Sequence, residues 1–232
     1  MRAFLFDLDD TLIDYTGPVE SCWDAACGLA DDAGLDAATV CRTMHGVRRW
    51  FWSDPERHAR ERVDMLGAWT KIAALALDRV GHPSDALARA IAADFAARRE
   101  ATTTVFGDAV PCLTALRSRR LPLGLVTNGD AAMQRAKLLR HGLGGFFDVI
   151  VIEGELGTGK PDPTVYRHAL AALGVAPGEA TMVGDNLEWD VAGAQRVGLG
   201  GVWIDRPGRG LPAGVPVRPT RVIHSLAEVL AF

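Results

Sequence analysis

Ala3-Phe4-Leu5-Phe6-Asp7-Leu8-Asp9-Asp10-Thr11 is the stretch that decides the fold. Four apolar residues in a row, with no polar alternation, fit a strand covered on both faces, as in a parallel sheet. The run ends abruptly in acids at positions 7, 9 and 10. Carboxylates gathered at one point repel each other and need a cation or a proton. By itself such a stretch is also compatible with an ordinary turn, so the remaining strand ends must decide.

From about Phe106 the chain alternates between strand and helix patterns. Strands are expected at Leu123–Thr127, Val149–Ile152, Thr181–Gly184 and Gly201–Ile204, with a last one at Val222-Ile223. Helices are expected at Val110–Leu116, Ala131–Arg140 and Val191–Val197. Another opens at Asp162-Pro163, with Asp as cap and Pro in the first position, and closes at Gly174. Ser225 and Glu228 form a capping box for a short final helix. Alternating strands and helices imply right-handed crossovers and a parallel sheet, hence an α/β fold. Residues from about 19 to 99 break this order with helical patterns only. Ser84-Asp85 caps a face made by Leu87, Ile91 and Phe95, and Leu66, Trp69, Ile72, Ala73 and Leu77 line another. This block reads as an inserted domain with hinges near Ile13–Gly17 and Arg99–Gly107.

In an open parallel sheet, ligands bind at the carboxyl ends of the strands. Four such ends carry polar residues: Asp7 with Asp9, Thr127-Asn128, Lys160 beyond the third strand, and Asp185 with Asp190. Acids from separate strand ends suit Mg²⁺, which takes oxygen ligands. Thr127 and Asn128 offer a hydroxyl and an amide, and Gly129 lets backbone approach a ligand closely. An ordinary strand-to-helix turn is the alternative there. Gly154–Lys160 nearly spells a phosphate-binding P-loop, but Pro161 replaces the Ser or Thr that would hold Mg²⁺. Proline also drives Lys160 out of the helical region a P-loop lysine occupies. Lys160 reads instead as a cation on a rigid loop before a capped helix.

These pieces, in this order, resemble the haloacid dehalogenase superfamily. Asp7-Leu8-Asp9-Asp10-Thr11 matches its D-x-D-x-T motif, Thr127-Asn128 the second motif, Lys160-Pro161 the third, and Gly184-Asp185 through Asp190 the fourth, G-D-x-x-x-x-D. The resemblance implies a Rossmann-like parallel-sheet core at 1–14 and 106–232 and an all-helical cap domain at 15–105. It implies a Mg²⁺-dependent phosphatase acting on a small phosphorylated metabolite of the nucleotide or sugar phosphate class. Asp7 would be the nucleophile that forms an aspartyl-phosphate, and Asp9 the acid and base. Thr127, Asn128 and Lys160 would hold phosphate. Asp7, Asp9 through its carbonyl, and Asp185 would ligate Mg²⁺, with Asp190 and Asn186 in support. A dehalogenase of the same superfamily is disfavoured by the acid at Asp9. A phosphomutase stays open, and a non-enzymatic regulatory module would be expected to have lost one of these residues.

A net charge of −4 argues against a nucleic-acid or anionic-membrane partner, and no run of about 18 apolar residues suggests a membrane span, so a soluble, cytoplasmic protein is expected. The four cysteines contain no C-x-x-C pair and read as partly buried free thiols. No zinc-ligand spacing stands out, and the six histidines carry no assigned role. Arg48-Arg49-Trp50-Phe51-Trp52 either faces a substrate or, the more ordinary reading, divides into a buried aromatic side and a solvated Arg side. Only Lys71, Lys137 and Lys160 are lysines among 25 basic residues. In so Arg-rich a chain, Lys160 reads as a chemical requirement for a compact ammonium rather than a forked guanidinium.

Overall fold

The computed structural model describes residues 2–232. The strands are β1 (Ala3–Phe6), β2 (Ile13–Asp14), β3 (Thr104–Val105), β4 (Leu123–Thr127), β5 (Val149–Ile152), β6 (Ala180–Gly184), β7 (Gly200–Ile204) and β8 (Arg221–Ile223). Six of them form one sheet in the order β5-β4-β1-β6-β7-β8, and every neighbouring pair is parallel. The α/β reading with a helical insertion after the first strand therefore holds. Strands β1, β4 and β6 are buried at every position, as expected where helices cover both faces. The chain runs from β1 outward through β4 to β5 and returns to β6 on the other side of β1. That reversal opens a crevice at the carboxyl end of β1. The short strands β2 and β3 pair antiparallel, Ile13 opposite Val105.

The chain divides into two compact units. One runs to Asp14 and resumes at Thr104–Phe232; the other is Tyr15–Thr103. The second contains α1 (Val19–Cys27), α2 (Leu29–Asp32), α3 (Ala37–Trp52), α4 (Pro55–Glu61), α5 (Met65–Arg79) and α6 (Asp85–Thr102). Asp36, Asp54, Asp64 and Ser84 each accept a backbone N–H from the third residue beyond, which fixes where α3 to α6 begin. Trp23 stacks on Phe95 with ring centroids 3.9 Å apart, and Trp69 meets Phe95 edge-on at 4.9 Å. Trp69, Ile72, Ala73 and Leu77 are buried together, whereas Leu66, in the first turn of α5, is half exposed. Lys71 pairs with the buried Glu61 at 2.6 Å. The Arg-aromatic run in α3 does not split into an aromatic and an Arg side. Consecutive residues point about 100° apart on a helix, so Phe51 is buried, Trp50 exposed, and Arg48 tucked onto both oxygens of Glu20 at 3.1 Å. No described helix is long and apolar enough to cross a membrane.

The first unit adds α7 (Ala109–Ser118), α8 (Ala131–Arg140), α9 (Glu153–Leu156), α10 (Pro163–Leu173) and α11 (Gly193–Gln195). Asp130 caps α8 and Asp162 caps α10, which ends at Gly174 with φ of 67°. Val165, Tyr166 and Ala169 of α10 pack with Leu5, Val126 and Met182 of the sheet. The helix expected from Val191 begins earlier. Asn186 accepts the N–H groups of Glu188 and Trp189, starting a wide turn over Leu187–Ala192 that leads into α11.

Candidate active site

Asp7, Asp9, Asp10, Thr127, Asn128, Lys160, Asp185, Asn186, Trp189 and Asp190 line one pocket of about 230 Å³. All eight residues singled out in the sequence lie in it, brought there from three strand ends and the loop before α10. At its centre the Lys160 ammonium lies 2.6 Å from an Asp7 oxygen and 2.6 Å from an Asp190 oxygen. Lys160 and Asp190 are almost wholly buried, and Asp7 nearly so. Lys160 is therefore no solvated loop cation. Burial alone would lower its pKa, but Asp190 and Asp7 outweigh that and hold it well above the ordinary lysine value.

Both carboxylates of the triad are held by a further hydrogen bond. The second Asp7 oxygen accepts the Thr11 hydroxyl at 3.2 Å, and Thr11 in turn accepts the Asp185 N–H at 3.1 Å, linking the ends of β1 and β6. The second Asp190 oxygen accepts the Asn186 N–H at 2.9 Å. The wide turn over Leu187–Ala192 carries this carboxylate inward, and such turns often sit at functional sites. Gly184 is required here, because a Cβ at that position would overlap the Asp190 carboxylate.

The second-motif residues are tied to neighbouring segments. The Asn128 side chain is engaged by backbone: Lys160 N–H donates to its Oδ1 at 2.7 Å, and its Nδ2 donates to the Lys160 carbonyl at 2.8 Å. These two bonds position Lys160. Gly129 donates its N–H to Glu153 Oε2 at 2.9 Å, which ties that backbone down. The Thr127 hydroxyl accepts from Gln134 Nε2 at 2.6 Å. Its contact with the Asn128 carbonyl is 3.4 Å, too long for a good O–H···O bond.

Sequence reading missed Gln134 and Lys137. They stand on α8, about one turn apart, and reach Asp9: Lys137 Nζ lies 2.8 Å from both carboxylate oxygens, and Gln134 Nε2 lies 3.1 Å from one. The available signal was the lysine itself, one of three in an Arg-rich chain.

Asp7, Asp185 and Asp190 each offer an oxygen, all within 4.8 Å of one another. Burial, together with the Asp7 and Asp190 charges, pushes Asp185 up to about 9. Burial likewise raises Asp7 to about 7, although Lys160 opposes the rise. One ammonium does not neutralise three carboxylates, and a divalent cation with oxygen ligands relieves what remains. The donor set fits Mg²⁺.

A sequence model of the haloacid dehalogenase-like hydrolases matches residues 1–198. The chain belongs to that family. It is similar to a phosphoserine phosphatase of Thermus thermophilus, 32% identical over 99% of this chain and 98% of the relative. A glyceraldehyde 3-phosphate phosphatase of Methanopyrus kandleri is 34% identical over 89% of this chain and 84% of its own length. Among solved structures, the HAD-hydrolase YfnB of Bacillus subtilis bound to magnesium superimposes with a TM-score of 0.75 at 22% identity, over 99% and 97% of the two chains. A 2-haloacid dehalogenase of Pseudomonas syringae pv. Tomato gives 0.68 at 29% identity, over 100% and 99%. This family member is a phosphatase, a hydrolase of phosphomonoesters acting on small phosphorylated metabolites.

The buried triad makes a stability prediction. Removing one partner of a buried ion pair strands the other charges, at a cost of about 3–5 kcal/mol. Urea denaturation of Lys160→Met in the presence of a chelator is expected to show a loss of about 3 kcal/mol or more. A loss below about 1 kcal/mol, as for a solvated lysine, contradicts the ion-pair assignment.

Proposed function

We propose that the enzyme is a Mg²⁺-dependent phosphatase working through an aspartyl-phosphate on Asp7, with a nucleotide or sugar phosphate as the class of substrate. The observation that carries this reading is the triad: a nucleophile-type carboxylate held by a buried ammonium, beside two further carboxylates with room between them for a divalent ion. Bound Mg²⁺, held by Asp7, Asp185 and the Asp9 carbonyl, would supply charge neutralisation at the phosphoryl group. Its presence in the related YfnB structure supports that choice.

The remaining chemistry belongs to the chain's own groups. The Asp7 carboxylate attacks phosphorus as the bond to the leaving oxygen breaks, and Asp9 gives that oxygen its proton. Asp9, now a carboxylate, takes a proton from water whose oxygen attacks phosphorus and frees Asp7. Splitting one hard displacement into two is the benefit of covalent catalysis. The Lys160 ammonium and the Thr127 hydroxyl hold phosphoryl oxygens, and positioning with charge stabilisation is most of what phosphoryl transfer needs. The acid at Asp9 favours this reading over carbon–halogen cleavage, which has no leaving oxygen to protonate.

Three outcomes test the reading. On an aryl phosphate, turnover is expected to vanish in Asp7→Asn and in excess chelator; undiminished turnover in either refutes the corresponding role. The second readout is stability. Asp185 moves from 3.8 to about 9 on folding of the metal-free chain. Between those values the unfolded chain has released a proton that the folded chain keeps, so stability falls as pH rises. Asp7 adds to this fall up to about 7. The unfolding temperature of chelated protein should drop from about pH 5 toward pH 9, and the gain on adding Mg²⁺ should grow over the same interval. A gain that is flat with pH, or absent, removes Mg²⁺ from these carboxylates.

The third outcome concerns Lys137, whose contacts to both oxygens of Asp9 position that carboxyl for the step in which it takes a proton from water. Lys137→Met should lower kcat by about tenfold or more, within the range attributable to a general base. It should leave kcat/KM on the aryl phosphate far less changed, since kcat/KM ends at phosphoryl transfer to Asp7. Rapid quenching should show phosphorylated enzyme accumulating. An equal fall in both constants, with no accumulation, assigns Lys137 a purely structural part.

A further inference from the structure

A second set of donors converges inside the helical unit, where no phosphatase chemistry has been assigned. Asp24 and Cys27 stand three apart on α1, and Cys41 and His45 four apart on α3, so each pair shares a helix face. The faces meet. Cys41 Sγ lies 2.9 Å from Asp24 Oδ1 and 3.3 Å from His45 Nε2, and His45 Nε2 lies 2.8 Å from Asp24 Oδ1. The buried Cys27 thiol is hydrogen-bonded to Cys41. One sulfur, one imidazole nitrogen and one carboxylate oxygen thus lie within 4.8 Å of one another, with the Cys27 thiol beside Cys41.

We propose that Asp24, Cys41 and His45 form a binding site for a zinc-class divalent ion, with the Cys27 thiol next to it. Zinc takes four ligands from these donor types at about 2.0–2.3 Å, so tetrahedral neighbours stand about 3.3–3.7 Å apart. The observed separations of 2.8–3.3 Å are shorter by up to about 0.7 Å, within reach of side-chain rotations. The mixture of thiolate and imidazole favours zinc over Mg²⁺ or Ca²⁺, which prefer oxygen.

The orientation of His45 points to a metal independently of the donor count. Its Nδ1 lies 2.7 Å from Glu20 Oε2, and Glu20 is gripped through both oxygens by Arg48 at 3.1 Å. A metal-ligating histidine characteristically gives its other N–H to a carboxylate, which fixes the ring and its tautomer. With Nδ1–H on Glu20, Nε2 presents its lone pair to the cluster.

Three protein donors leave a fourth position for a small movement of the adjacent Cys27 thiol or for water to fill. The ion would tie α1 to α3. Asp24 is half exposed, which gives the ion a path from solvent. The sequence reading found no zinc-ligand spacing here. The pattern is D-x-x-C on one helix and C-x-x-x-H on another, and only packing joins them.

Cobalt tests this with a readout independent of catalysis. The chain is kept reduced, stripped with chelator and titrated for free thiols, then given Co²⁺. A thiolate-to-cobalt charge-transfer band in the near ultraviolet should saturate at about one ion per chain and be bleached by Zn²⁺. The pocket around Asp7 contains no cysteine, so cobalt there gives no such band. Cys27→Ser/Cys41→Ser should lose the band, and Glu20→Gln, which keeps all three donors, should retain it with affinity weakened about 10–100-fold. No sulfur band in the wild-type chain, or a band that survives in the double variant, overturns the proposal and leaves a hydrogen-bonded bridge between two helices.

Discussion

The Lys160 ammonium, buried between the carboxylates of Asp7 and Asp190, is the constraint on which the rest of the catalytic unit depends. Burying a charge is costly unless it is paired and hydrogen-bonded. Three sequence-distant segments must therefore close on one point before any of them is stable there. The parallel sheet meets this demand through its strand order. With β4 and β6 on either side of β1, the ends of all three strands open on the same crevice, and Lys160 enters from the loop that follows β5 and α9.

Around that contact, most of the polar groups serve to hold other groups. Thr11 links Asp7 to the backbone of Asp185. Asn128 pairs with both backbone groups of Lys160, and Asn186 starts the turn that carries Asp190. Gly184 supplies the missing side chain that lets Asp190 approach. This is the preorganisation that phosphoryl transfer asks for: charges fixed before the substrate arrives, so that little reorganisation is left for the reaction. The pair formed by Lys137 and Asp9 extends the same logic to the proton-transferring group, from a helix rather than a strand end.

The helical unit is built on different physics. Trp23, Trp69 and Phe95 give it an aromatic core of its own, and side-chain caps fix where four of its helices start. Its charged residues are organised by helix faces instead of strand ends. Glu20, Asp24, Cys41, His45 and Arg48 form one connected network between α1 and α3. The lysines follow suit: Lys71 neutralises the buried Glu61 here, as Lys160 and Lys137 neutralise acids in the other unit.

The sequence by itself determined the strand and helix order, the insertion after β1, and the identity of the residues at the strand ends. Those signals are local: apolar runs, caps such as Asp130 and Asp162, and motifs a few residues long. Only the tertiary structure decided what each polar group faces. Asn128 and Gly129 carry the composition of a phosphate-binding turn, yet Lys160 and Glu153, 32 and 24 positions away, occupy their hydrogen-bonding groups. Lys137 lies 128 positions from Asp9, and Cys41 17 from Asp24. No periodicity or spacing encodes such partners, because a side-chain hydrogen bond is set by where two elements pack and not by the residues beside it in the chain.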